Sequence, residues 1–356
     1  MAESNRPSML EGAGPGPAAG QFQIVRLATS DALRFTDHLR ALRSLIVCDE
    51  LTYPGIGKWF DARVVPGLAT GERIAYLAYR QERPVASAVL KQGPDTKFCH
   101  LRIREECQGL DLGQALFSLM TLEVRGIARR IHFTLPESLW ARKKAFFKSF
   151  GFPAAWKARR QYRHGDAELR CSAGFPAVWR AVFERLARWV ADSAPEAPSA
   201  APPLLMSIKP AHWARIVEGG KLFEFRKRFG RRWAGRRAVF YASRPVCSLV
   251  GEAALSAVTS GRPDQVWSLC EGGAGVERSE FDAYVGSARV VAAIELAEVR
   301  SFPFAVAAAR LANLVGRKLP PPRSFCELRA EGCNPWPAAV GLAKLMQFSS
   351  GGPGQS

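Results

Sequence analysis

Acidic residues are in short supply: 32 Asp and Glu face 50 Lys and Arg, a formal net charge of +18. Such an excess repels the protein from itself and draws it to polyanions, so acidic ligands are the first class of partner to consider. Long apolar runs are missing. The nearest to one, Phe302 to Val315, is interrupted by Arg310, which excludes a membrane-spanning helix there. No Cys-x-x-Cys pair occurs among the eight cysteines, and Cys99 beside His100 has no further ligands at metal spacing. A zinc site is therefore not expected, and neither is a disulfide framework. The first 20 residues are rich in Gly, Pro, Ala and Ser and lack an apolar segment, unlike a secretory signal, so the cytoplasm is the expected compartment. No internal repeat is visible.

What is present is the composition of a globular protein. Hydrophobic residues make up 47% and charged ones 23% of 356 residues, enough for a sizeable core. That length suggests about two domains. Ala191 to Pro203 (ADSAPEAPSAAPP) is almost free of large apolar residues and reads as an extended spacer. The expected division is a disordered lead over 1–20, a first unit over 21–190, the spacer 191–203, a second unit over 204–346 and a frayed tail over 347–356.

The first unit alternates strand and helix patterns. Phe22 to Leu27, Arg73 to Tyr79, Arg83 to Lys91, Phe98 to Arg104 and His132 to Leu135 read as strands, the second and third joined by a turn at Gln81–Glu82. Asp31 to Ile46, Gly113 to Arg130, Leu139 to Phe150 and Pro176 to Val190 carry helical spacing. This predicts a mixed α/β sheet. Between the strand at 98–104 and the helix at 113 stands Cys107-Gln108-Gly109-Leu110-Asp111-Leu112-Gly113. Glycines there allow close backbone approach, and free amides at a helix start can hold a pyrophosphate.

Residues 22–165 resemble the GNAT-type N-acetyltransferases. The strand Arg83 to Leu90, the strand Leu101-Arg102-Ile103-Arg104, the Gln108 to Gly113 turn and the closing Phe147-Lys148-Ser149-Phe150-Gly151-Phe152 occur in that family's order. Asp111 stands where the family's middle glycine belongs. The resemblance implies an acetyltransferase fold, acetyl-CoA as cofactor and an amine as acceptor. Leu101 and Ile103 would lie beside the acyl group, and Gln108, Gly109, Leu110, Asp111, Leu112 and Gly113 would cradle the pyrophosphate. The family often protonates the departing thiolate from a tyrosine of the last helix; here Phe147 occupies that position, and Ser149 is the candidate substitute. Asp49 and Glu50 precede the loop Leu51 to Phe60, where the family gathers acceptor contacts, and Glu50 is the candidate base. From Arg142 to Arg163, eight basic residues stand without an acid, with Trp140, Trp156 and Tyr162 interleaved, the pattern of either a solvated face or a phosphate track.

In the second unit, Gly219-x-Lys221-x-x-Glu224-x-Arg226 fits the signature of the ASCH domain at all four positions. Tyr241-Ala242-Ser243-Arg244-Pro245, Val250-Gly251-Glu252, the Trp267 helix and Pro321 to Phe325 follow in order. The resemblance covers about 204–327 and implies a smaller PUA-like β-barrel of α+β class with a cleft for RNA or a nucleotide. Some members remove acetyl from N4-acetylcytidine with the signature lysine. Lys221 is then the candidate base or nucleophile and Glu252 its partner, though those hydrolases carry threonine at the Glu224 position. Between Leu204 and Arg237, ten basic residues oppose two acidic ones, an excess of +8. Lys209, Lys221, Glu224, Arg226, Arg228, Arg231, Arg232, Trp233 and Ser243 are the expected nucleic-acid contacts. The expectation is an acetyl-CoA-dependent N-acetyltransferase whose second domain binds RNA or a nucleotide. Alternatives are a non-catalytic regulator that senses acyl-CoA, and an amidohydrolase acting on N4-acetylcytidine-type nucleosides.

Overall fold

Alternating apolar and polar residues build two mixed sheets, seen in a computed structural model that describes residues 22–28, 36–51, 53–158, 166–192, 201–330 and 333–348. The first has seven strands in the order β1-β2-β3-β4-β5-β7-β6: Gln23–Leu27, Arg73–Arg80, Arg83–Lys91, Asp95–Ile103, Arg130–Pro136, Glu168–Gly174 and Ala155–Lys157 in that spatial order. β2 and β3 form a tight hairpin with Gln81 (φ 49°) and Glu82 (φ 64°) in its turn, a left-handed pair that matches the twist of the strands. β4 and β5 run parallel, whereas every other neighbouring pair in this sheet is antiparallel.

Both faces are covered over part of the sheet. On one, helix Thr36–Val47 and the helical stretch from Ile56 to Ala69 bury Leu42, Ile46, Phe60, Val64 and Leu68 against Val25, Leu27, Ala75 and Val89. On the other, helices Leu112–Glu123, Glu137–Ser149 and Phe175–Asp192 pack on Phe98, Ile131, Phe133 and Leu135, with Phe117 at the centre of a ring of phenylalanines. The first of these helices is shorter than its sequence pattern. It ends at Glu123, and after a turn with Gly126 at φ 89° the chain is already in β5 at Arg130. Residues 29–35, where the preceding helix was expected to begin, lie outside the described residues.

The second sheet has six strands, β13-β8-β10-β11-β12-β9, and curls into a half-barrel. They are Phe325–Glu327, Leu204–Ile208, Arg236–Ala242, Ser248–Gly261, Val291–Ala307 and Phe223–Arg226, with β8 and β10 parallel. Gly251 of β11 is required by packing: a Cβ there would stand 2.4 Å from both Trp213 and the Arg300 carbonyl. Helix Trp336–Phe348 then returns to the first sheet's helices, where Gly341 comes so close to helix Phe175–Asp192 that a Cβ would meet the Leu186 carbonyl at 2.7 Å. Leu186, Val190, Leu205, Tyr241, Leu311, Val340 and Leu345 consequently share one hydrophobic cluster. Residues 193–200 of the expected spacer lie outside the described residues. Among those described, no helix is long and apolar enough to cross a membrane, and all eight cysteines are free.

Candidate functional site

β4 and β5 pair only at their beginnings, Asp95 with Arg130, Thr96 with Ile131 and Lys97 with His132. β4 then runs on to Ile103 and β5 to Pro136 without further pairing to each other. This leaves a wedge inside the sheet, at the carboxyl ends of two parallel strands, where open α/β sheets place their ligands. Leu101 and Ile103 lie on its β4 side.

At the mouth of the wedge the chain turns into helix Leu112–Glu123. Gly109 (φ 83°) and Asp111 (φ 55°) both take the left-handed conformation, so Asp111 adopts the backbone that a glycine would. No described backbone carbonyl accepts from the amides of Gly109 to Gly113, and no side chain caps the helix. Such an uncapped start attracts anions. Gly113 keeps the helix close to the strand, its Cβ position 3.7 Å from Ile103 Cδ1. Gln108 leans back to donate to the Ile103 carbonyl, 3.3 Å away.

Arg185, on helix Phe175–Asp192, reaches this mouth and was not legible as a site residue. Its guanidinium donates to Gln114 Oε1 and to Ser149 Oγ at 2.8 Å, and lies 4.9 Å over the Phe150 ring. Gln114 donates in turn to Asp111 Oδ1 at 2.5 Å. Burial raises the Asp111 carboxyl above its ordinary range, and the nearby Arg185 charge opposes that rise.

Ser149 has little freedom to deliver a proton. Its hydroxyl donates to the Phe146 carbonyl at 2.7 Å while accepting from Arg185. Phe147 lies against Phe133, ring centres 4.9 Å apart, and stacks on Trp140. Glu50 is occupied in its own loop: its two oxygens accept from the Gly55 and Gly57 amides at 2.6 and 3.0 Å. Those hydrogen bonds hold its pKa below the usual carboxylate range and weaken it as a base. Neighbouring Asp49 binds Arg102 of β4. On the same strand His100, hydrogen-bonded to Ser87 at 3.0 Å, is held neutral by burial, its pKa pushed down to about 4, which makes it a weak proton acceptor too.

The second site gathers around Lys221. Its ammonium is almost wholly buried, donates to the Ala274 carbonyl at 2.8 Å and lies 4.8 Å over the Phe225 ring. Burial lowers its pKa, while Glu224 and Glu280 pull it back up. Glu224 pairs with Arg226 at 2.9 Å, and Arg226 also donates to the Ser207 carbonyl. His212, unforeseen from the sequence, feels the charges of Glu224, Lys221, Glu280 and Lys209, and its buried Nδ1 has no partner. Lys209 is exposed just after β8, and Ser243 follows β10 next to it, its amide donating to Ile208. Lys209, Lys221, Glu224, Arg226 and Ser243 therefore converge at one end of the half-barrel.

Two expected contributors, Glu252 and Trp233, do not join them. Glu252 is held by Lys344 at 2.7 Å and Arg237 at 3.4 Å, where it ties β11 to the last helix. Trp233 is buried against Phe229 and Phe325 beneath the Arg232 and Arg236 guanidiniums, so it offers no free face for stacking. Trp140, packed on Phe147, offers none either. Of the basic run 226–237, Lys227, Arg228, Arg231 and Arg232 face solvent, whereas Arg226, Arg236 and Arg237 are drawn into ion pairs. Arg159, Arg160, Tyr162 and Arg163 lie outside the described residues. Among the described residues no cluster of three His, Cys, Asp or Glu is arranged to hold a metal ion.

No family model and no curated protein matches this chain. Different parts of it are similar to two kinds of solved domain. The ASCH protein of Zymomonas mobilis is 26% identical over 39% of this chain and 94% of its own length, with a TM-score of 0.35. A putative acetyltransferase of the GNAT family from Desulfovibrio desulfuricans is 16% identical over 43% of this chain and 99% of its own, TM-score 0.33. Arabidopsis thaliana Naa50, solved with a bisubstrate CoA analogue, is 15% identical over 42% and 98%, TM-score 0.32.

Proposed function

We propose that the chain is an acetyl-CoA-dependent N-acetyltransferase, acting in the cytoplasm, whose half-barrel unit holds RNA or a nucleotide. The observation that carries this is the wedge between β4 and β5 with an uncapped, amide-lined helix start at its mouth. Residues present there suit a phosphate-bearing thioester. The amides of Gly109 to Gly113 would hold the pyrophosphate charge, Arg185 adds positive charge beside them, and the unpaired edge of β4 at Leu101 and Ile103 offers backbone partners to an extended chain. Acetyl-CoA, when bound, supplies an acyl carbon open to attack by an amine.

The chain's own part in transfer is to orient the two substrates. An attacking amine must be neutral, and with Glu50 engaged by its loop amides and the His100 pKa pushed down to about 4, neither is a strong acceptor, so the amine's proton goes to water. On helix Glu137–Ser149, Phe147 has no hydroxyl and the Ser149 proton is given to the Phe146 carbonyl, so neither serves as the acid. The expected signature is transfer without a tyrosine-type alkaline limb in its pH profile. Incubation with labelled acetyl-CoA and total RNA, protein or simple amines tests the proposal. Binding with transfer to none of them would identify a sensor of acyl-CoA instead.

A second reading is favoured by one feature, the buried Lys221 with its lowered pKa beside Glu224. It supports hydrolysis of an acetylated nucleoside in the half-barrel. N4-acetylcytidine converted to cytidine by the protein, and not by a Lys221→Ala variant, would establish that reading.

A further inference from the structure

Among the described residues, no helix covers the face of the first sheet toward helix Thr36–Val47 beyond β4. Over β5 and β7 the side chains on this face are Arg130, His132, Thr134, Glu168, Arg170 and Ser172, joined on the edge strand β6 by the aromatic Trp156, whose position pairs with Arg170. Their alternates Ile131, Phe133, Leu169 and Cys171 enter the core on the other side, where the described helices of this half of the sheet pack. Arg130, Trp156, Arg170, Ser172, Ala173 and Gly174 line an open concavity of about 480 Å³.

Three features of this face call for a ligand. Trp156 is 54% exposed, unusual for the largest apolar side chain and unlike the other tryptophans of the basic segments. Ser172 Oγ is buried and has no hydrogen-bond partner among the described residues. The charge is positive: Arg130 and Arg170 border the concavity and Arg129 is exposed at its end, while of the acids described on this side Asp95 is shared between His132 at 3.2 Å and Arg170 at 3.7 Å and Glu168, two residues before Arg170 on β7, is buried. An aromatic plane flanked by guanidiniums on an open sheet matches a base flanked by phosphates.

We propose that this face binds a single-stranded nucleic acid, one base stacked on Trp156 and the adjoining phosphates on Arg130 and Arg170. It is built on the start of β5 and on β7 and β6, with Arg170 and Trp156 level with Thr134, and takes in none of the wedge residues from Leu101 to Gly113, so a strand held here leaves those residues free. The inference does not rest on acetyl transfer: binding would persist in a protein that transfers nothing.

The test uses the full chain and fluorescently labelled oligouridylate and oligothymidylate of about ten nucleotides, within the usual span of one single-strand site. Anisotropy is read at several salt concentrations for the parent, Trp156→Ala, Trp156→Phe and an Arg130→Ala, Arg170→Ala pair, each checked for an unchanged melting temperature. Trp156→Ala should weaken binding about ten-fold, with Trp156→Phe staying close to the parent. The arginine pair should flatten the slope of log affinity against log salt by about 1.4, the effect of two lost phosphate contacts. A bromouridine-substituted strand should crosslink to the peptide containing Trp156. Parent-like affinity and slope in all variants, crosslinks confined to the half-barrel, absence of binding by the parent, or self-association through this face in place of strand binding would each overturn the proposal. Stronger binding of one oligonucleotide than the other shows whether RNA or DNA is the natural strand.

Discussion

Replacing Gly341 should separate the two sheets' helices and, through them, disturb the acetyl-CoA site. Gly341 lies in helix Trp336–Phe348 against helix Phe175–Asp192, and an added Cβ would stand 2.7 Å from the Leu186 carbonyl, 2.9 Å from its Cβ and 3.1 Å from its carbonyl carbon. The nearest atoms are backbone, so no rotamer change relieves the clash; one helix must shift by several tenths of an ångström. Overpacking of this kind costs about 1–3 kcal/mol, and alanine's better helix propensity returns about 1 kcal/mol. Gly341→Ala should therefore lose up to about 2 kcal/mol, and Gly341→Val, with more bulk and no such compensation, about 3 kcal/mol or more. Helix Phe175–Asp192, one side of this contact, carries Arg185, so the same variants should weaken acetyl-CoA binding beyond any loss of folded protein. Urea unfolding followed by far-UV circular dichroism measures the first effect, calorimetry on the folded fraction the second. Gly272→Ala, where an added Cβ meets nothing within 4 Å, is the control. A Gly341→Val protein as stable as the Gly272→Ala control would refute the close helix crossing on which this coupling depends.

Asp111 places a carboxylate in a cradle for phosphate, so Asp111→Gly, which keeps the left-handed backbone and removes the charge, should tighten acetyl-CoA binding several-fold by calorimetry. Arg185→Ala should weaken it about ten-fold or more, in line with a lost charge-assisted hydrogen bond. Lys221→Met removes a buried charge yet strands the Glu224 network; oligonucleotide binding by the half-barrel should fall, read by anisotropy, with acetyl-CoA affinity unchanged. His100, His132 and His212 all have pKa values lowered by burial. Below pH 6.5 the unfolded chain takes up protons that these folded imidazoles refuse, so stability should decline as pH falls from about 6.5 toward 4, the value for His100. A His100→Asn variant measured by urea titration across that window should lose part of the slope.

Local chemistry made much of the fold legible. The Gln81–Glu82 turn sits between two alternating runs, and the turn 108–113 stands between a strand and a helix, so both could be placed from residue types alone. The helix expected to reach Arg130 stops at Glu123 because Arg130 is needed to pair with Asp95, a partner chosen by tertiary structure. β6 and β7 escaped notice because Arg170 and Ser172, with the exposed Trp156, face a surface that no described helix covers and mask the strand pattern. The candidate sites divide in the same way. Gly109 and Lys221 announce themselves by motif. The wedge is a matter of where two strands stop pairing, and Arg185 and His212 reach their sites from other helices, relations that no spacing in the chain encodes. Trp233 and Glu252 had the right residue types, but the first is spent in the core and the second on Lys344.

The account rests on the wedge between β4 and β5 as a site for acetyl-CoA, and titration of the full protein with acetyl-CoA in a calorimeter tests it most directly. Saturable one-to-one binding at micromolar to millimolar ligand, weakened by Arg185→Ala and tightened by Asp111→Gly, is the predicted result. No heat of binding at millimolar acetyl-CoA, or binding indifferent to both substitutions, would contradict it.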